Sequence, residues 1–182
     1  MDSADKSDIQ ASLGGDGSAY ARLVSRHQQD ISRLLWRFTR DPSVHEELVQ
    51  DAFVEAYLSL SSYRGRAPFA SWLRTLATRV GYRFWKQQAR ERKRGTVTLQ
   101  DWDQESSGPT DEATTADAAN TVHDLLQELG LRDRLVLTLM YLEDHSVNEI
   151  ASLTGWSRTM VKVQAHRARK RLKRLFEEAR PQ

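Results

Sequence analysis

The sequence contains no cysteine, which excludes disulfide bonds and metal sites with thiolate ligands. No apolar run approaches the roughly 20 residues that a membrane-spanning helix needs. The sequence also lacks a glycine-rich phosphate loop, a paired-histidine metal helix and a nucleophile elbow, and its five histidines are scattered. We therefore expect no catalytic centre, no cofactor, no bound metal and no insertion into a membrane.

The first residues, MDSADKSDIQASLGGDG, are polar and acidic, unlike a signal peptide or a transit peptide. We expect residues 1–17 to form a flexible tail, with at most a turn of helix around Ile9 and Leu13 before the glycines. The expected location of the protein is the cytoplasm.

Charge is distributed unevenly although the net charge is only +2. Residues 20–94 carry 15 Lys and Arg against 7 Asp and Glu, and residues 119–182 carry 11 against 8. Residues 95–118 carry 6 acidic side chains and no Lys or Arg. Two basic blocks joined by an acidic segment favour two surfaces for a polyanion such as nucleic acid.

Apolar residues recur at helical spacing through most of the chain, and no useful alternating strand pattern is present. The pattern predicts an all-α fold of two small domains, 18–94 and 117–182, joined by a flexible acidic linker over 95–116. Trp102 is the one large apolar residue of that linker. It could pack on a neighbouring domain or contact a partner. The predicted helices run from Ser18 to near Asp41, from Pro42 to about 60, from Phe69 onward, and over about 117–129 and 132–142.

The last part of the chain, SVNEIASLTGWSRTMVKVQAHRARKRLKRLF, predicts a helix-turn-helix. Ser146 and Glu149 have the spacing of a capping box, Gly155 can end the first helix, and Ser157 can cap the second. The second helix has an apolar inner face and a strongly basic outer one, as expected of a helix that enters the major groove. The alternative is an ordinary helical hairpin with a solvated basic face.

Three segments in this order are similar to motifs of one family. They are Glu47-Leu48-Val49-Gln50-Asp51-Ala52-Phe53, then Tyr63-Arg64-Gly65 with Phe69 and Trp72-Leu73, then Glu149-Ile150-Ala151 with Val161-Lys162 and Arg167-Ala168-Arg169. On these residues the chain resembles a bacterial RNA polymerase sigma factor of the extracytoplasmic-function (ECF) group.

The resemblance implies a two-domain transcription initiation factor without catalytic activity. Its first domain would bind core RNA polymerase and read and melt the minus-ten element of promoter DNA. Its second domain would read the minus-thirty-five element as duplex. The resemblance also implies an anti-sigma protein as a partner.

The residues that the resemblance places at the first domain's contacts fall into two groups. Core polymerase would meet the polar face of the second predicted helix, at Glu47, Gln50 and Asp51. Aromatic and basic residues suit a melted strand, because bases stack on rings while cations hold phosphates. The predicted minus-ten residues are Tyr63, Arg64, Arg79, Arg83 and Lys86. Arg79 and Arg83 stand where the family often has Asn and Asp, so base preference at this element does not transfer.

In the second domain the resemblance places seven residues toward the minus-thirty-five element: Arg158, Thr159, Lys162, Val163, His166, Arg167 and Arg169. Val163 replaces the common Ser of the family, and Gln164 replaces its common Arg. The competing interpretation is a one-component helix-turn-helix regulator that binds a palindrome as a dimer without polymerase. Such a regulator needs a sensing pocket or dimer seam, whereas the first domain offers an anionic face and an aromatic, basic loop.

Overall fold

The computed structural model describes residues 3–94 and 121–178, and within them the regular structure is entirely helical. The chain divides into two units, Met1–Trp85 and Lys86–Gln182. The predicted all-α fold is therefore confirmed for these residues. The predicted linker over 95–116, with Trp102, lies outside them.

In the first part of the chain the helices are α1 (Ser3–Leu13), α2 (Gly17–Leu35), α3 (Pro42–Ser59) and α4 (Phe69–Arg94), with a short 3₁₀ turn at Leu60–Ser62. In the later part they are α5 (121–127), α6 (Leu131–Leu137), α7 (Val147–Thr154) and α8 (Arg158–Glu178). A π-helical segment, Thr138–Leu142, continues α6.

Side-chain caps fix where α2 and α3 begin. Asp16 accepts hydrogen bonds from the amides of Ser18 and Ala19, and Asp41 does the same for the helix that begins at Pro42. Proline suits a first helical position because its missing N–H has no intrahelical partner there. The predicted end of α2 near Asp41 is wrong, since the helix ends at Leu35.

The N-terminal residues form a helix packed against α2, so the expectation of a flexible tail over 1–17 is wrong. The residues that α1 buries are mainly polar, namely Asp5, Asp8 and Ser12 beside Ile9. Arg26 of α2 binds both carboxylates, at 2.5 Å to Asp5 and 2.6 Å to Asp8. Ion pairs therefore attach this helix where apolar burial is small.

The core of the first unit gathers large side chains from α2, α3 and α4, each stabilising the fold by about 1.5–3 kcal/mol when fully buried. Trp85 is 1% exposed, and its indole Nε1 donates to the backbone oxygen of Phe38 at 2.7 Å. The backbone of α4 meets the Phe38 ring at Gly81, where a Cβ atom would overlap the ring. Glycine is thus required for this approach of the two segments.

The core of the second unit lies between α6, α7 and α8. Val136, Leu139, Ile150, Val161 and Ala168 are fully buried there. The inner stripe predicted for α8 is confirmed by its buried residues, Val161, Ala165 and Ala168. Among the described helices, none combines the length and apolarity needed to cross a lipid bilayer.

Candidate protein and nucleic-acid interfaces

The outer face of α3 carries the predicted polymerase contacts. Glu47, Gln50 and Asp51 are all exposed, and so is Glu46 beside them. Glu47 and Asp51 are separated by four residues and therefore project from the same side of the helix. This half of α3 presents an anionic surface to solvent.

The same face becomes apolar toward the end of α3, which the sequence reasoning missed. Val54, Tyr57 and Leu58 are 50%, 53% and 75% exposed. They border an open groove of about 730 Å³ that α2 lines with Tyr20 and Val24. Apolar side chains at such exposure are typical of a surface that binds another protein. The available signal was that Val54 and Leu58 follow Asp51 on one helical row.

Tyr20 fixes one wall of this groove. Its hydroxyl donates to the backbone oxygen of Phe53 at 2.5 Å, and its ring contacts Tyr57 edge-on at 4.9 Å between centroids. Burial raises the pKa of Tyr20 to about 12, so the hydroxyl stays a donor at neutral pH. This hydrogen bond links α2 to α3 at the groove.

Tyr63 lies in a three-ring cluster at the start of α4. Its ring centroid is 5.6 Å from Phe69 and 5.2 Å from Trp72, and its hydroxyl donates to the backbone oxygen of Ala67 at 2.6 Å. Partial burial raises the pKa of Tyr63. Arg64 is exposed next to it in the loop over residues 61–68, which we call the aromatic loop. A half-buried ring beside an exposed cation can meet a base and its phosphate together.

Helix α4 presents Arg79, Arg83 and Lys86 on one exposed row, at the spacing i, i+4, i+7. Arg83 forms an ion pair with Glu55 of α3, which raises the pKa of the guanidinium group. Its side chain still is 59% exposed. One turn before this row, Arg74 binds Asp30 of α2 at 2.8 Å. The cations of α4 are therefore partly engaged with the rest of the unit.

The helix-turn-helix of the second unit forms as the sequence predicts. Glu149 accepts from the Ser146 amide at 2.7 Å, and Ser146 Oγ accepts from the Glu149 amide at 3.3 Å. These hydrogen bonds with Ser146 lower the pKa of Glu149. Gly155 takes the left-handed conformation with φ of 74°, and Ser157 Oγ accepts from the Met160 amide at 3.1 Å. The predicted capping box and turn are confirmed.

The outer side of α8 contains the predicted minus-thirty-five residues. All seven are exposed: Arg158, Thr159, Lys162, Val163, His166, Arg167 and Arg169. At about 100° per residue, Thr159 and Val163 lie nearly opposite the buried stripe, and Lys162 lies about a quarter turn from it. Arg169 lies at the edge of the face, where its guanidinium donates to the Tyr141 hydroxyl at 3.3 Å. The Lys and Arg side chains of this face extend over about three helical turns and are complementary in charge to a phosphate backbone.

Asp133 attaches α8 from beneath, and the sequence reasoning did not single it out. Its side chain is 1% exposed, and it binds Arg171 as an ion pair and accepts from Gln164. Gln164, noted above as a departure from the family, is therefore engaged inside the unit. Beside it, burial lowers the pKa of Arg134 to about 10. Over residues 3–94 and 121–178, no group of three or more His, Asp or Glu side chains could hold a metal.

Two family models match this chain. The model of Sigma-70 region 2 matches residues 23–91, and that of Sigma-70 region 4 matches residues 119–172. The first match contains the anionic face of α3, the aromatic loop and the basic row of α4. The second contains the helix-turn-helix up to Leu172.

Curated relatives match most of the chain. The RNA polymerase sigma factor YlaC of Bacillus subtilis is 28% identical over 163 residues, which cover 87% of this chain and 92% of YlaC. The ECF RNA polymerase sigma-E factor of Haemophilus influenzae is 27% identical over 163 residues, covering 85% and 86%. These matches extend through both units.

Solved structures share the fold. CnrH, solved in complex with the cytosolic domain of CnrY, has a TM-score of 0.66 at 22% identity, covering 97% of this chain and 99% of that chain. The sigma factor RpoE of Bartonella quintana, solved with the anti-sigma factor NepR, has a TM-score of 0.61 at 19% identity, covering 88% and 98%.

Proposed function

Because the chain belongs to the ECF group of bacterial RNA polymerase sigma factors, we propose that its two units divide the work of transcription initiation. A sigma factor binds core RNA polymerase and directs it to specific promoters. In our assignment residues 18–94 bind core polymerase and read and melt the minus-ten element, and residues 117–182 read the minus-thirty-five element. The chain acts with polymerase in the cytoplasm and performs no chemistry itself.

Core polymerase binds the outer face of α3 in this proposal. Glu47, Gln50 and Asp51 meet a basic surface, and Val54 and Leu58 extend the contact with apolar area. Exposed carboxylates raise the rate of encounter and select the partner, while buried apolar area supplies affinity. The mixed face of α3 suits both tasks.

The minus-ten element meets the aromatic loop and α4. Tyr63 and Arg64 face the melted strand, while Arg79, Arg83 and Lys86 hold phosphates along α4. Stacking on aromatic rings and charge contacts with phosphates both tolerate sequence changes. Base preference at this element therefore depends on residues that differ from the family pattern, Arg79 and Arg83.

The exposed basic face of α8 is the single observation that carries the proposal most directly. It lies on the second helix of a helix-turn-helix, opposite a confirmed apolar stripe. Such a helix inserts into the major groove, where its outward side chains reach base edges. Lys162, His166 and Arg167 occupy the middle of that face.

We further propose that an anti-sigma protein binds this chain. RpoE, which shares the fold, was solved with the anti-sigma factor NepR. The apolar groove bordered by Val54, Tyr57 and Leu58 offers such a protein a surface that would compete with core polymerase.

In vitro transcription tests the proposal. Purified bacterial core polymerase would be supplied with the promoter region upstream of this protein's own gene, with and without the chain. We expect a transcript from one start site that depends on the chain. Tight dimeric binding to duplex DNA without polymerase, and no transcript, would instead favour a one-component regulator.

A charge reversal on α3 distinguishes the functions that we assign to the two units. We expect Asp51→Lys to weaken the affinity for core polymerase about tenfold, because an exposed contact carboxylate becomes a repelling cation. Minus-thirty-five duplex binding by the full chain should stay unchanged. Asp124→Lys, an equal charge change on α5, is the matched control and should leave core affinity as it is. Equal losses in both variants would contradict the assignment of the α3 face.

A further inference from the structure

We propose that α1 positions the aromatic loop for the melted DNA strand, through Asp5 and His27, and we call this arrangement the clasp. Asp5 of α1 holds His27 of α2, and His27 in turn supports the ring cluster that contains Tyr63. This inference rests on the function proposed above for the aromatic loop. It assigns a positioning role to His27 and to Asp5, which lies before the segment matched by the region 2 family model at residues 23–91.

The first link is the attachment of Asp5. Its carboxylate is buried, with the residue 4% exposed, and accepts from Arg26 Nη1 at 2.5 Å. Both of its oxygens also lie near His27 Nε2, at 3.0 Å and 3.2 Å. A carboxylate that contacts the ring nitrogen fixes both the position and the orientation of an imidazole.

The second link runs from His27 to the aromatic loop. The His27 ring packs edge-on against Phe69, with centroids 5.4 Å apart. Phe69 is 2% exposed and contacts both Tyr63 and Trp72. Aromatic pairs at such distances have a preferred geometry, so the orientation of one ring restricts the next. Asp5 is therefore three contacts away from Tyr63.

Helix α1 carries its own matched control. Asp8 is also buried, at 6% exposure, and binds Arg22 and Arg26 at 2.8 Å and 2.6 Å. These arginines precede His27 on α2. Asp8 shares Arg26 with Asp5 but does not itself contact His27, whereas Asp5 does. Asp5→Asn and Asp8→Asn therefore remove similar charges from one helix, and only the first alters a direct contact of His27.

The first experiment measures the loop directly, without DNA or polymerase. Hydrogen exchange of the amides in residues 61–68 would be compared among the wild type, Asp5→Asn, Asp8→Asn and His27→Gln. We expect about fivefold faster exchange in Asp5→Asn and His27→Gln, and less than about twofold in Asp8→Asn. Gln at position 27 can still donate to Asp5 but lacks the ring that meets Phe69, so it tests the second link alone.

The second experiment measures promoter opening by the holoenzyme. A promoter with 2-aminopurine in the minus-ten element reports melting, and Tyr63→Ala serves as the reference for a damaged loop. We expect Asp5→Asn and His27→Gln to slow opening about three- to fivefold at unchanged affinity for core polymerase. Asp8→Asn should open the promoter at nearly the wild-type rate.

The outcomes distinguish the clasp from the function of the loop. If exchange in residues 61–68 is unchanged in Asp5→Asn, or rises equally in Asp8→Asn, the clasp is wrong whatever happens at the promoter. If exchange rises as expected but neither Asp5→Asn nor Tyr63→Ala slows opening, the assignment of the loop to the melted strand fails and the functional half of the inference fails with it.

Discussion

The two basic surfaces of this sigma factor are built differently. In the first unit the basic side chains of α4 take part in packing, since Arg83 binds Glu55 and Arg74 binds Asp30. In the second unit Lys162, His166 and Arg167 are exposed on α8, outside its buried stripe. In our proposal, the surface for melted DNA is therefore part of the packing of its unit, whereas the surface for duplex DNA is an exposed helix face.

This difference follows from the shapes of the two targets. Duplex DNA has a regular major groove, which accepts a preformed helix with outward side chains. A melted strand has no fixed shape, so the protein has to supply the geometry with ordered rings and oriented cations. Substitutions that disturb packing should therefore affect the two surfaces unequally.

The largest expected effect comes from the ion pair between Asp133 and Arg171, in which a cation of the second unit is also held by a carboxylate. Asp133→Ala removes a carboxylate that is 1% exposed and binds both Arg171 and Gln164. We expect the free energy of unfolding of the second unit to fall by about 2–4 kcal/mol, measured by urea denaturation. Glu177→Ala breaks the surface ion pair with Lys173 and should cost under about 0.5 kcal/mol. Similar costs for both would mean that Asp133 does not support α8.

A smaller effect, confined to DNA binding, is expected on the exposed face. Arg167→Ala should weaken holoenzyme binding to promoter duplex about tenfold without changing affinity for core polymerase, because a direct contact is lost. Lys173→Ala removes the same charge just beyond the family match and should cost less than about twofold. Titrations of labelled promoter at one fixed salt concentration measure both. A tenfold loss in each variant would reduce the role of Arg167 to general electrostatic attraction.

In the first unit we expect a substitution to strengthen DNA binding when it removes the acidic partner of a basic side chain that we assign to DNA. Glu55→Gln removes the charge that holds Arg83, and we expect the affinity for a premelted minus-ten template to rise about twofold. Asp30→Asn releases Arg74 from the same kind of contact and serves as the control, with no expected change. Weaker binding by Glu55→Gln would show that Glu55 orients Arg83 for DNA rather than competing with it.

The smallest effect concerns the capping box that begins the helix-turn-helix. Hydrogen bonds from Ser146 lower the pKa of Glu149 below its ordinary 4.5 in the folded state. Its stabilising contribution is thus complete above about pH 4.5 and is lost as pH falls through the lower folded pKa. Thermal unfolding of the wild type and Glu149→Gln should differ at about pH 6 and converge as pH falls through the folded pKa of Glu149. A difference that persists in acid would exclude this charge as its source.

The sequence predicts the fold where apolar spacing and caps agree. The helix from Ser18 was predicted from its apolar stripe, and the helices that begin after Asp41 and Ser146 were predicted from a stripe together with an N-cap. Helix α1 was missed because most of what it buries is polar, and a search for apolar periodicity cannot detect ion pairs with α2. The π-helical segment Thr138–Leu142 was predicted as ordinary helix for a similar reason, since its apolar residues fit either period.

The candidate surfaces were predictable to different degrees. The exposed face of α8 follows from its clear inner stripe, so the positions of Lys162 and His166 could be inferred from spacing alone. The engagement of Arg83 could not, because Glu55 lies 28 residues away along the chain. The ring contact between Tyr57 and Tyr20 could not be inferred either, because it joins two helices and no local pattern reports it.

The contact between Gly81 and the Phe38 ring also limits how this sequence can diverge. A methyl group at position 81 would overlap the ring, so α4 can accept a larger residue there only after position 38 has become smaller. The two positions should therefore covary among descendants of this chain, with the change at 38 coming first. In a laboratory lineage, Gly81→Ala should become tolerated in a Phe38→Leu background. Trp85 would then pack less tightly, because it loses its contact with the Phe38 ring.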